Sequence, residues 1–129
     1  MNIILDSNEY PSSPYPEPYS GALVTQEELN EFIKKTIDQN KQPIVIFGAN
    51  WCPDARLLEG VMRLPTVKSF LESNANVINI DVGDYEINTD LFKMFDGNIQ
   101  DGIPRVFIMS KMGQNINLHV NETMRKARE

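Results

Sequence analysis

Ile44-Val45-Ile46-Phe47-Gly48-Ala49-Asn50-Trp51-Cys52-Pro53 is the stretch on which the fold reading turns. Pro43 opens it, and the four residues that follow are apolar, three of them β-branched. A short run with no polar face reads as a strand covered on both sides, at the centre of a sheet. Gly48-Ala49-Asn50 leads the chain off that strand. Pro53 suits the first position of a helix, where its missing N–H leaves no bond unmade and its φ is already set. Cys52 therefore stands at a strand-to-helix turn.

Downstream, the pattern predicts a helix from about Asp54 to Leu64, with Leu57, Leu58, Val61 and Met62 directed inward. Pro65 should interrupt or kink it, with Thr66 to Ser73 able to resume it on Val67, Phe70 and Leu71. Val77 to Val82 alternates apolar and polar and reads as a second strand. Asp81 to Asn88 is a polar loop. Thr89 to Phe95 reads as a short helix burying Leu91, Phe92 and Phe95, ended by Asp96-Gly97. Gly102-Ile103-Pro104 precedes a third strand, Arg105 to Met109. A turn at Lys111-Met112-Gly113-Gln114 leads to a fourth, Asn115 to Val120. Asn121 caps a last helix whose Arg125, Lys126 and Arg128 suit a C-terminal dipole.

Upstream, Thr25 to Asn40 is a helix. Thr25 and Glu28 make a capping box, Leu29, Phe32, Ile33 and Ile37 share one face, and Glu27, Glu28, Glu31, Lys34 and Lys35 form a solvated one. Before it, Tyr10 to Tyr19 reads YPSSPYPEPY, whose four prolines exclude helix and central strand. It is read as an extended arm lying on the domain surface, a proline-rich ligand for another module being the alternative. The division expected is a Pro-rich extension over 1–21 and one domain over 22–129. The first two strands flank a crossover helix and should be parallel. The last two, joined by a tight turn, should be antiparallel. The class is α/β: a mixed sheet with helices on both faces.

Composition narrows the function. The chain has 129 residues and one cysteine, which cannot pair within it. A net charge of −6 weighs against nucleic acid and anionic lipid as partners. No apolar stretch approaches the ~18 residues of a membrane span. Met1 to Leu5 is too short for a signal-peptide core and lacks a basic leader, so a cytoplasmic location is expected, or a periplasmic one if a leader was removed. One Cys, a distant His119 and scattered carboxylates do not make a zinc spacing, and no phosphate-cradling loop or Ser-His-Asp motif is present. No metal or cofactor is expected, and the chain is expected to be a monomer.

The element order, with Trp51-Cys52 at the strand-to-helix turn and Ile103-Pro104 before the hairpin, resembles the thioredoxin superfamily from about Thr25 to Arg128. Phe47 to Pro53 is similar to its strand and redox turn, and Gly102-Ile103-Pro104 to its cis-proline loop. Asp81-Val82-Gly83-Asp84-Tyr85 with Asn88, and the closing Lys126-Ala127-Arg128, resemble a bacterial thioredoxin-like subgroup. The resemblance implies a three-layer fold around a mixed sheet of four to five strands, a cis Pro104, and an Ile103 backbone that pairs with an extended substrate peptide. Two departures stand out. The family's Cys-x-x-Cys is here Cys52-Pro53-Asp54-Ala55, without the resolving thiol. The buried acid five residues before the tryptophan is here Ile46. Both losses together suggest a natural departure from dithiol chemistry, a Cys-to-Ala change at position 55 being the alternative.

At a helix N-terminus the orphan amides and the dipole favour the thiolate, the reactive form. Arg56 and Arg105 would add positive charge if they point towards Cys52, and Asp54 would work against it. The alternative is an inert cysteine packed as a small hydrophobe. The expected site is thus an exposed Cys52 as nucleophile, with Trp51, Pro53, Gly102, Ile103 and Pro104 as the peptide-binding surface. Asp54, Ala55 and Arg56 complete the motif. A lone thiolate can form a mixed disulfide with protein thiols or disulfides, but an external thiol such as glutathione must then finish the exchange. A thioredoxin-fold binding module without turnover is the rival.

Overall fold

The computed structural model describes residues 14–94 and 102–110, with the backbone alone for 92–94. Its centre is β1 (Gln42–Gly48), which lies between β2 (Ala75–Asp81) and β3 (Arg105–Ile108) in the order β2-β1-β3. β1 runs parallel to β2, in a register pairing Ile44 with Val77 and Phe47 with Ile80. It runs antiparallel to β3, with Val45 opposite Phe107. The apolar run therefore holds the central place, and Val45, Ile46 and Phe47 are all buried. A parallel pair needs a crossover, and two helices supply it: α2 (Pro53–Met62) and α3 (Pro65–Asn74).

Three strands form the described sheet, fewer than the four to five expected. The turn at 111–114, the strand at 115–120, His119 and the last helix lie outside the described residues. Phe95 and the Asp96-Gly97 helix end lie outside them too, and Phe92 is described in its backbone alone, but a 3₁₀ helix at Thr89–Met94 does bury Leu91.

α1 (Gln26–Asp38) begins as its sequence dictates. Thr25 Oγ1 accepts from the Glu28 amide at 3.0 Å, and a Glu28 carboxylate oxygen accepts from the Thr25 amide at 3.4 Å. Leu29 is buried, with Phe32 and Ile33 packed against the same cluster. Thr36 is buried as well, its hydroxyl accepting from the Asn76 side chain at 3.1 Å.

Pro65 does more than kink the second helix. The residue before a proline is driven out of the helical region. Leu64 is extended at φ −60, ψ 139, so α2 stops at Met62 and α3 starts afresh on Pro65. Leu57 corrects the inward face predicted for α2. It is exposed, and Ala55 is the buried residue of that helix.

Phe47 and Phe107 meet edge to face, ring centroids 5.8 Å apart, in a cluster with Val45, Leu29, Ile80, Val82, Leu91 and Ile103. Cys52, Ala55 and Tyr19 belong to that same cluster. Tyr19 corrects the reading of the arm as purely superficial. Its described part, from Pro14 onward, is neither helix nor strand, as the prolines require, yet Tyr19 is only 6% exposed.

Candidate functional site

β1 ends at Gly48, and the chain enters α2 at Pro53. Cys52 is the N-cap residue, extended at φ −91, ψ 112, and Pro53 takes the first helical position. Its backbone is fixed from both sides: the Cys52 amide donates to Ala49 O at 3.1 Å, and Cys52 O accepts from the Arg56 amide at 3.1 Å. Because β1 and β3 are hydrogen-bonded neighbours, the loop entering β3 arrives beside this turn. The Ile103–Pro104 peptide bond is cis, and Gly102 before it sits at φ +146, a conformation that favours glycine. Cys52 Sγ donates to Ile103 O at 3.7 Å. The two loops, 51 residues apart in sequence, are thus in contact at the sulfur.

The sulfur is not exposed, contrary to the sequence-based expectation. Cys52 is 1% exposed and unpaired. Trp51 is the exposed member, at 51%. Its indole N–H donates to Gly83 O at 2.7 Å, and its ring meets Tyr85 edge-on at 5.9 Å. Gly83 and Tyr85 both have positive φ, at +57 and +66. The 81–88 loop needs these turns to present its carbonyl and ring to the tryptophan.

Arg56 is not aimed at the sulfur. Its Nη2 donates to Tyr15 O at 2.7 Å and its Nε to Pro16 O at 3.3 Å, with the Glu17 carboxylate 3.7 Å away. Arg105 is buried and turns its Nε back onto Gly102 O at 3.2 Å, bracing the cis-proline loop. Asp54 and Pro53 are exposed on the first turn of α2, whereas Ala55 is fully buried. Pro104 is half-buried and Ile103 buried.

A cysteine N-cap facing a cis-proline loop in an α/β fold is the arrangement observed, and residues 17–125 match the family model described as Thioredoxin. The chain belongs to the thioredoxin family. Among solved structures it is similar to the disulphide isomerase from Xylella fastidiosa Temecula1, at 26% identity and a TM-score of 0.73, over 88% of this chain and 86% of that one. A comparison with curated proteins gives no match. Both departures from the thioredoxin pattern are buried. Ala55 and Ile46, the two positions at which the sequence resemblance breaks, are each 1% exposed.

Three further residues shape this thioredoxin-family site without a motif that points to their roles. Asn50 makes a two-way bridge to the arm: its Oδ1 accepts from the Tyr19 amide at 3.0 Å and its Nδ2 donates to Tyr19 O at 2.6 Å. Asn88 ties the 81–88 loop to the chain before α1. At φ +57 and 8% exposed, its Oδ1 accepts from the Val24 amide at 2.9 Å. Its Nδ2 donates to Ala22 O at 2.9 Å and to Asp81 O at 2.8 Å. Tyr19 lies over Gly48, where an added Cβ would fall 2.3 Å from the phenol oxygen and 3.1 Å from the Ala55 methyl. Burial raises the Tyr19 pKa well above its usual value, and the charges of Glu59, a Cys52 thiolate and Asp81 push the same way. Gly48 is the available sequence signal, since a glycine in a strand marks close approach by another group.

Among the described residues, no three His, Cys, Asp or Glu side chains are gathered as metal ligands would be, and no helix is long and apolar enough to cross a membrane.

Proposed function

We propose that this chain takes part in thiol–disulfide exchange through Cys52, by forming mixed disulfides with protein partners. The observation that carries the reading is the contact between the Cys52 sulfur and Ile103 O, at a cis-proline loop in a thioredoxin-family chain. The structurally similar Xylella protein is described as a disulphide isomerase, which supports disulfides as the substrate class.

The Cys52 thiolate attacks one sulfur of a client disulfide. A new S–S bond forms, the client bond breaks, and the other client sulfur leaves as a thiolate that takes a proton from solvent. With Ala55 in the second position, no thiol of this chain completes the cycle. An external thiolate, glutathione being the obvious class, attacks the mixed disulfide and releases Cys52. Trp51, Pro53 and the Gly102-Ile103-Pro104 loop offer the surface for the client, whose extended backbone would pair at Ile103 in strand-addition fashion. The proposed exchange uses no cofactor beyond that thiol.

The 1% exposure of Cys52 favours a second reading, a binding module that recognises partners without turnover. Reduction of a disulfide-linked peptide in excess glutathione separates the two. The exchange reading expects glutathione-dependent turnover that Cys52→Ser abolishes. Equal rates with and without Cys52 would leave only the binding module. Ala55→Cys should let each chain reduce one client disulfide without the external thiol, closing a disulfide between Cys52 and the new thiol at position 55 that a reductant must open before the next turnover; the deeply packed Ala55 site limits its efficiency.

A further inference from the structure

We infer that residues 15–24 form a displaceable strap that closes the Cys52 site, and that its opening sets how fast Cys52 reacts with anything from solution. This rests on the exchange reading only in supposing that Cys52 has a partner to meet. A sulfur that attacks a disulfide must be approached in line with the bond it breaks. At 1% exposure that approach is closed, so some neighbour must move.

The neighbours differ in what holds them. β1 and β3 share a ladder, and the cis-proline loop is braced by Arg105 and anchored by Ile103, 1% exposed. The arm has neither ladder nor helix. It is attached to the site by side chains reaching its backbone, with Tyr19 buried in the core cluster and Val24 half-buried against it. Arg56 reaches Tyr15 O and Pro16 O, and Asn50 takes both backbone groups of Tyr19. Asp81 accepts from the Gly21 amide at 2.8 Å, and Asn88 holds Ala22 and Val24. Ser20 to Leu23 are all exposed, Leu23 at 71%. Between the Arg56 clasp on Tyr15 and Pro16 and the start of α1 stands Gly21. At φ +79, with nothing within 4 Å of an added Cβ, it is free to act as a hinge.

Tyr19 is the one buried side chain of the described arm, and it sits where opening would matter. It shares a cluster with Cys52 and Ala55, and the bare Cα of Gly48 makes its seat. Arg56, one helical turn beyond Cys52, ties the strap to the helix that carries the sulfur. Breaking the Arg56 and Asn50 attachments frees Tyr19 and uncovers the Gly48–Ala55 face next to Cys52.

Alkylation by iodoacetamide reads access directly: Cys52 Sγ displaces iodide, an S–C bond forms, and the thiol proton passes to solvent. Arg56→Met keeps the stem and removes two charged hydrogen bonds, so alkylation in the full chain should be about tenfold faster. An unchanged or slower rate overturns the strap. Hydrogen exchange of the unsubstituted chain gives a second reading that needs no variant. The Tyr19, Gly21 and Val24 amides should exchange together, far ahead of Val45 to Phe47, and Cys52 alkylation should track them. If those amides exchange only with the β1 amides, the arm is core and the inference fails. The two proposals fail separately. Rapid alkylation without disulfide exchange sinks the function and leaves the strap, whereas exchange at an alkylation rate indifferent to Arg56 sinks the strap alone.

Discussion

The β1–β3 pair and the segment 15–24 flank the same cysteine and are held there by opposite means. β1 and β3 are joined by a backbone ladder and sealed by Phe47 against Phe107. Segment 15–24 has no ladder and one buried ring, and Asn50 and Asn88, 31 to 66 residues distant in sequence, hold its backbone. The first kind of holding is made of area removed from water and is cooperative with the whole fold. The second is made of discrete hydrogen bonds that can break one after another while the sheet stands. One region fixes where the sulfur is; the other governs what reaches it.

The largest expected effect falls on the sheet. Phe107→Ala removes a fully buried ring and leaves a cavity, so it should cost about 3–5 kcal/mol in urea unfolding. A cost below about 1 kcal/mol would show that the ring pair does not anchor the site. Next comes Asn88→Ala, which orphans the Val24 amide and two carbonyls and puts alanine at positive φ. It should cost about 2–3 kcal/mol, and exchange protection should be lost at Val24 before β1. Simultaneous loss in both regions would erase the distinction between them.

Alkaline pH isolates the arm. The folded Tyr19 holds its proton beyond the usual value of 10.0 because it is buried. Below about pH 10 the phenol is neutral in both states and its burial carries no pH penalty. Above it, the unfolded phenol ionises while the folded one does not, so the unfolded state binds fewer protons and stability falls as pH rises. The urea midpoint should therefore drop between about pH 10 and 11 in the unsubstituted chain, and less steeply in Tyr19→Phe. Equal slopes would place Tyr19 in water. The smallest effect is expected at Leu57, exposed on α2: Leu57→Ala should change stability by no more than about 0.5 kcal/mol.

What the sequence makes legible follows the same division. Ile44 to Phe47 announce a central strand because an apolar run has few other places to go. Thr25 and Glu28 announce a helix start through a local pair of bonds, and the resemblance at Gly102-Ile103-Pro104 brings that loop to Cys52. All of these are written in contiguous residues. Leu57 escapes the pattern because apolar character alone assigns four residues of α2 to one face, when the helix turns the smaller Ala55 to the core. Arg56 invites reading as a charge near sulfur, but its carbonyl partners at Tyr15 and Pro16 lie 41 and 40 residues away. Tyr19 stands among prolines that forbid regular structure but say nothing about where an aromatic ring packs. Nonlocal side-chain-to-backbone bonds have no period, so no pattern along the chain announces them.

Whether Cys52 forms a mixed disulfide in the folded chain is the central question. Incubation of the native protein with oxidised glutathione, followed by intact-mass measurement, answers it most directly. The prediction is one glutathionyl group per chain, on Cys52, absent from Cys52→Ser and removed by an added thiol. A folded chain that takes up no glutathione over hours, yet gains one at once in denaturant, would contradict it.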